Sequence, residues 1–385
     1  MFEGHITAGI PVSLTGQFSA QGKQALRGLE AWSNWINRKG GIWVAERGRK
    51  LLVRVCHYDD RSLSASTRDI TRHLLLEDEV DLLFGPYASS LALASAEVVS
   101  SQGGLLWNQG GAIDTIHQRG YRWIVSILSS ASTYLQGLPH LVKESDRSAS
   151  RLALVYASAG GFSRTVAEGM EREAIDLGFD TVLKQEFPVT TSDFSQIIDS
   201  VDKICPDLFL GVGRIYNDLL LARQMSQRNL NIGAVAFVGT PIREFRYTLG
   251  QNREGILGPS QWEFLDSSVL PEYGPTPREV VNILGSQADQ LDYPEVQSFA
   301  AGLIAQRSIE ESGSLSSQSL WEAAVGLDYS TFYGRFKIDP KTGQQIGHRS
   351  VIVQWQKGEK TVVWPAEVSQ SRLLFPWSDY RINVE

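Results

Sequence analysis

Residues 5–60 constrain the fold more than any other stretch of the chain. They open with a short apolar strand that stops at a turn built on Thr15 and Gly16, and a helix begins just beyond it. Ala25, Leu29, Trp32 and Ile36 follow at spacings of four, three and four, which places them on one buried helical face. Gly40 and Gly41 end that helix, and residues 51–57 begin a second strand. A strand, crossover helix and strand in this order make a parallel pair. The loop over residues 14–22 therefore lies at the carboxyl end of a strand, where open α/β sheets bind ligands.

The same rhythm continues. Strands are expected near 80–84, 104–107 and 123–127, with helices near 22–38, 64–77 and 90–102. It then repeats with strands near 151–156, 181–187, 207–212 and 234–238 and helices near 164–177, 193–203 and 217–228. The alternation implies two doubly wound parallel sheets. A length of 385 residues also favours two cores over one. The third portion departs from the pattern, with helices near 277–290, 294–313 and 316–324. VIVQWQ, a four-residue KGEK turn and TVVWP then read as an antiparallel hairpin. The tail beyond Pro365 suggests no role.

Several function classes are disfavoured. A net charge of −7 argues against a nucleic-acid surface, and no apolar run is long enough to insert in a membrane. The two cysteines, Cys56 and Cys205, fall in apparent strands of different halves and read as isolated buried thiols. The opening MFEGHITAGI lacks the features of a signal peptide. The chain reads either as cytosolic or as a mature form whose signal has been removed.

Catalytic and cofactor patterns are weak. Gly16 and Gly22-Lys23 invite a phosphate-loop reading, but five residues separate the glycines and Gln24 follows the lysine, so the spacing fails. GVGRIY lacks the third glycine of a dinucleotide fingerprint. No nucleophile elbow, metal-ligand spacing or CxxC occurs, so no catalytic residue, metal or cofactor is expected and an enzyme is disfavoured. Asp60 reads as the cap of the next helix.

Two further loops are more suggestive. GPYASS (85–90) places Ser89 and Ser90 where a helix begins, a position that suits a carboxylate or carbonyl oxygen. Simple capping by serine explains the motif equally well. NQGGA (108–112) follows the next strand, and its glycines permit close approach of a ligand to the backbone.

In order, LTGQFSAQG, NRKGG, VCHYDD, GPYASS, NQGGAIDTIHQRGY, LALVYASAGGFSRTVAEGM and YGRFKIDPKTGQQIGH span almost the whole chain. This succession resembles the type I periplasmic binding proteins of the branched-chain amino acid class, including the related amide and urea receptors. The resemblance implies an α/β fold of two doubly wound parallel-sheet lobes joined by a three-strand hinge (periplasmic binding protein-like I). It implies crossovers near 126–130, 256–262 and 333–337. Lobe I is then 1–127 plus 260–334, lobe II is 128–258 plus 335–365, and 366–385 forms a C-terminal tail. Periodicity alone suggests simple halves.

The function so implied is the solute-binding component of an ABC importer, capturing a small organic ligand in an interlobe cleft by hinge closure. Its partners are membrane permease subunits, and its location is periplasmic or extracellular. The alternative is a cytoplasmic sensor of the amide-receptor type. Family ligand-binding positions carry over to Gln21 with Phe18 nearby, Ser89 with Ser90, Gly110, Gly111 and Ala112, Phe162, Arg214, and Thr240. The usual hydroxyl is missing at 110–112, and Phe162 lacks a phenol hydroxyl. The acid that grips an α-amino group falls near residues 240–242, where this chain has Thr-Pro-Ile. An uncompensated buried ammonium is costly, so the ligand is expected to be a carboxylate, aromatic or aliphatic, or a neutral amide. Trp107 reads better as core than as pocket. For Arg214, a pocket role and a solvated loop remain open.

Overall fold

The computed structural model describes residues 4–265, 270–285, 287 and 290–380. The chain divides into two compact units, Met1–Ser130 with Phe264–Arg349 and Ala131–Glu263 with Ser350–Glu385. Residues 335–349, expected in the second lobe, thus fall with the first unit. They do so because Ser126 N–H donates to Gly343 O at 3.0 Å and Gln344 Nε2 to Ser130 Oγ at 2.8 Å.

In the first unit, β1 (His5–Val12), α1 (Ser19–Arg38), β2 (Ile42–Val44) and β3 (Arg49–Asp59) come first. They are followed by α2 (Ser64–Leu76), β4 (Leu82–Phe84), α3 (Ser89–Gln102), β5 (Leu106–Asn108), α4 (Thr115–Gln118) and β6 (Ile124–Ser126). The sheet order is β2-β3-β1-β4-β5-β6. Every pair is parallel except the edge strand β2, which runs antiparallel to β3. Strands β4 to β6 are only three residues long and fully buried. Continuous apolar runs such as these suit a sheet covered on both faces.

The second unit contains α5 (Leu138–Ser145), β7 (Arg151–Ala157), α6 (Phe162–Asp176), β8 (Asp180–Phe187), α7 (Ser195–Ile204) and β9 (Leu208–Val212). Next come α8 (Ile215–Ser226), β10 (Ala234–Phe237), α9 (Arg243–Leu249) and β11 (Leu257–Ser260). The chain then returns to the first unit for α10 (Pro277–Leu284), α11 (Tyr293–Ser312), α12 (Ser317–Gly326) and a small antiparallel pair, β12 (Tyr329–Thr331) and β13 (Gly334–Phe336). It ends in the second unit with β14 (Val351–Gln356) and β15 (Glu359–Trp364). The second sheet runs β15-β14-β11-β10-β9-β7-β8, with only the β11–β14 and β14–β15 pairings antiparallel.

Helix α1 carries the expected face: Ala25, Leu29 and Trp32 are fully buried and Ile36 nearly so. The helix packs along α11, where Arg27 pairs with the buried Glu295 at 2.8 Å and Trp32 Nε1 donates to Gln306 Oε1 at 3.2 Å. Trp107, read as core, is completely buried in β5.

Several local expectations are corrected. The terminal hairpin turns on two residues, Lys357 and Gly358, because Gln356 already pairs with Glu359 and both turn residues have positive φ. Helix α10 stops at Leu284, since Gly285 adopts a left-handed conformation at φ 65°. Cys205 is neither buried nor in a strand. It is exposed and left-handed at the end of α7, ahead of Pro206. Cys56 is half-buried. The tail is part of the second unit: Trp377 is 1% exposed, its backbone N–H reaches Gly233 O and its indole N–H reaches Glu254 O at 3.2 Å. Strands β2, β12 and β13 and helices α4, α5 and α9 are too short to register as periodic segments.

Candidate ligand-binding site

In the first unit, three loops follow the carboxyl ends of adjacent parallel strands β1, β4 and β5. The loop after β1 is tied down by Asp59. Its Oδ1 accepts from the N–H groups of Leu14, Thr15 and Arg61 at 2.9, 3.2 and 2.9 Å, and its Oδ2 accepts from Thr15 Oγ1 at 2.7 Å. Burial pushes this carboxyl up, but the Thr15 and backbone hydrogen bonds outweigh it and hold it below the ordinary range. Asp60 is raised by burial, against hydrogen bonds from the Ser13 hydroxyl at 2.6 Å and the Ser62 N–H at 2.8 Å. It clamps this loop rather than capping α2, whose first turn has no side-chain cap. A Cβ at Gly22 would stand 2.2 Å from Ser13 O, so this glycine lets α1 sit against the end of β1.

Phe18, just ahead of α1, is half-buried and meets the edge of Tyr87 at a ring separation of 6.3 Å. Gln21, in the first turn of α1, is buried. Tyr87 belongs to the loop after β4, and its hydroxyl lies 2.9 Å from that of Tyr293 at the head of α11. The next residue, Ala88, has φ 89° and is the N-cap of α3, with no side-chain cap. Ser89 is therefore not the cap but the first residue of the helix. Its Oγ accepts from Ile113 N–H at 3.2 Å, which leaves its own proton to donate. Ser90 is exposed, and its carbonyl accepts from Ser64 Oγ at 3.3 Å.

Gly110, Gly111 and Ala112 are buried in the loop after β5. A Cβ at Gly110 would lie 2.3 Å from Pro86 O, and Gly110 O accepts from Ala88 N–H at 3.2 Å. The glycine is thus required by contact between two loops. Sequence reasoning missed the residue that holds this loop. Asn108 Nδ2 donates to Gly111 O and to Ser126 Oγ, both at 2.8 Å, and its Oδ1 accepts from Gly111 N–H at 2.9 Å. Ser126 Oγ in turn lies 2.9 Å from His117 Nε2, and His117 Nδ1 lies 3.0 Å from Thr342 O. Burial pushes the His117 imidazole below its usual value, so it is held neutral. Neighbouring Gln109 donates to Gly85 O at 2.7 Å and bridges the β4 and β5 loops. An amide-bearing pair directly before two glycines is the one sequence signal for this brace.

The second unit repeats the placement. Phe162 starts α6 after β7 and is half-buried, with its ring 5.7 Å from Tyr134 in a T-shaped contact. Arg214, exposed, precedes α8 after β9, and its N–H donates to Asn217 Oδ1 at 3.2 Å. Thr240 follows β10 and is fully buried. Its hydroxyl donates to Leu257 O at 2.7 Å and its carbonyl accepts from the Trp355 indole at 3.2 Å. The nearby Asp218 on α8 is buried. Its Oδ1 accepts from Gly213 N–H at 2.6 Å and its Oδ2 from Gly239 N–H at 2.9 Å. Burial pushes this carboxyl up to about 7 against the two N–H bonds.

Phe18, Gln21, Ser89, Ser90 and residues 110–112 thus share the carboxyl-end rim of the first sheet. Phe162, Arg214 and Thr240 share that of the second. Among the described residues, no group of three or more His, Cys, Asp or Glu side chains could hold a metal, and no helix is long and apolar enough to cross a membrane.

The profile of the periplasmic binding protein family matches residues 5–360. The chain belongs to the periplasmic binding protein family. This is a family of transporter binding proteins, not of enzymes. The chain is 23% identical to Leu/Ile/Val-binding protein homolog 7 of Brucella abortus over 388 residues, which covers 93% of this chain and 92% of that protein. Among solved structures, it resembles the branched-chain amino acid transporter substrate-binding protein LivJ of Streptococcus pneumoniae in complex with isoleucine. There the TM-score is 0.78 at 16% identity, over 94% of this chain and 100% of that one. It also resembles an ABC transporter solute-binding protein of R. palustris in complex with benzoate, with a TM-score of 0.75 at 15% identity, over 96% and 100% of the two chains. This periplasmic binding protein therefore has a fold common to proteins crystallised with an aliphatic amino acid and with an aromatic acid. The fold does not choose between such ligands.

Proposed function

We propose that this periplasmic binding protein is the solute-binding component of an ABC importer. On this reading its ligand is a small organic carboxylate, aromatic or aliphatic, rather than an α-amino acid. The observation that carries the ligand class is the loop after β10. Val238-Gly239-Thr240-Pro241-Ile242 contains no acid, and the Thr240 hydroxyl is already committed to Leu257 O. Asp218 lies under this loop but spends one oxygen on each of two backbone N–H groups. An α-ammonium group placed there would find no acid on the loop itself and only the already hydrogen-bonded Asp218 beneath it, so its desolvation would be poorly offset. A carboxylate, in contrast, has donors to meet: the Ser89 hydroxyl and the first turn of α3, where no side chain caps the helix. Phe18 and Tyr87 on the first rim offer ring surface to the body of the ligand.

In this role the protein works outside the cytoplasmic membrane and delivers its ligand to permease subunits. A thermal-shift screen over benzoate, 4-hydroxybenzoate, small aliphatic carboxylates, acetamide, leucine and valine tests the ligand class. A carboxylate lacking the α-amino group should stabilise the protein, by roughly 2.7 kcal/mol at one hundred times its dissociation constant. Stabilisation by leucine or valine, with no response to any plain carboxylate, overturns the reading.

A further inference from the structure

Asp218 is a buried acid that no part of the proposed ligand chemistry uses. It sits near the start of α8, and its two oxygens go to two different loops. One receives the N–H of Gly213, directly before Arg214; the other receives the N–H of Gly239, directly before Thr240. These are the loops after β9 and β10. The fit is close, since a Cβ at Gly239 would stand 3.2 Å from Asp218 Oδ2. Asn217 completes the tie by accepting from Arg214 N–H at 3.2 Å and donating to Val189 O at 3.1 Å.

We propose that Asp218 is a positioning residue for ligand binding: its ionised carboxylate joins the Arg214 loop to the Thr240 loop, and protonation releases that join and weakens binding. The proposal rests on the reading that these loops carry ligand-binding residues. The anion serves both N–H groups far better than the neutral acid, because protonation makes one oxygen an O–H donor and a poor acceptor for the N–H it faces. The charged groups on α8 and the elements packed against it are Arg214 ahead of α8, Arg223 further along it, Arg243, Glu244 and Arg246 on α9, and Arg253 in the turn that follows α9, while β9 and β10 carry none. Burial, opposed by the two N–H bonds, governs the ionisation of Asp218.

Two opposite pH trends follow. With a folded value of about 7, the ionised fraction rises from about one tenth at pH 6 to about nine tenths at pH 8. If only the ionised form binds, affinity rises about tenfold over that interval. Stability runs the other way. The folded value lies above the unfolded one, so the native state holds the extra proton between about pH 4 and pH 7, and the Asp218 contribution to stability declines as pH rises through that window.

The test is calorimetric titration of wild type and Asp218→Asn with 4-hydroxybenzoate from pH 6 to 8.5, together with amide resonances of Gly213 and Gly239 without ligand. A tenfold rise in wild-type affinity, with a weaker and flat Asn variant, supports the proposal; parallel profiles in the two proteins overturn it. The amides judge the join even if 4-hydroxybenzoate fails to bind, in which case the ligand reading is what suffers. A single shared midpoint that Asp218→Asn abolishes sustains the join, and separate midpoints or none refute it.

Discussion

Ser89 condenses the chemistry of the first rim into one side chain. Its hydroxyl accepts from Ile113 N–H, which ties the β5 loop to the head of α3 and orients the remaining proton for donation. Replacing it by alanine removes both functions. Ser89→Ala should weaken a carboxylate ligand by about 1.5–3 kcal/mol, the worth of a hydrogen bond to a charged group. Isothermal titration checks this, and an unchanged affinity would remove Ser89 from the site. At this scale the sequence was partly legible. A serine following a strand and opening a helix stands out in isolation, and so does the absence of an acid near Thr240. Asn108 and Asp218 did not stand out, because what makes them important lies 18 and 21 residues away, at Ser126 and Gly239. Asp60 was misread for the same reason, since Ser13 lies 47 residues away; Cys205 was misread because α7 runs up to it and ends there in a left-handed conformation.

Among the elements, the loop after β5 has no room for a side chain at Gly110. Gly110 is pressed against Pro86 and Tyr87, so the β4 and β5 loops can approach only because one of them lacks a side chain. Gly110→Ala would put a methyl group 2.3 Å from Pro86 O and force the loops apart. We expect a loss of about 1–3 kcal/mol of stability, typical of overpacking, with weaker ligand binding alongside it. Urea unfolding and titration of the same variant measure the two effects, and an alanine variant with wild-type values for both would show that the loops can separate freely. Long amphipathic helices and apolar strands were readable from their period, as α1 and β7 illustrate. The short edge strand β2 and the pair β12–β13 were not, since three residues cannot display a period.

For the whole molecule, the tail past Pro365 matters more than its mixed composition suggests. Trp377, 1% exposed, packs against Gly255 and joins the backbone at Gly233 and Glu254. Gln354 on β14 fastens Leu374 through its side-chain amide at 3.0 Å and 2.8 Å. Trp377→Ala should cost about 3–5 kcal/mol in the unfolding of the second unit, as other large-to-small core substitutions do. Denaturation followed by the fluorescence of the remaining tryptophans would detect it, and a stability within about 0.5 kcal/mol of wild type, the ordinary range for surface changes, would show the tail to be dispensable. Composition could not reveal this role, because the contacts of Trp377 lie more than a hundred residues upstream.

The threading of the chain through its two units has a consequence for synthesis. The first sheet is complete in sequence by Ser126, yet α11, which packs on α1, arrives only at residues 293–312. The second sheet waits longer still, since β14 and β15 are residues 351–364 and Trp377 comes later. Domains generally fold as units, the N-terminal one first as it leaves the ribosome. Here neither unit can close until most of the polypeptide has emerged, so the first spends translation without α11 and the second with an unfinished sheet. A chain whose units can finish only late therefore stays unfolded, and open to other cellular factors, for most of its synthesis.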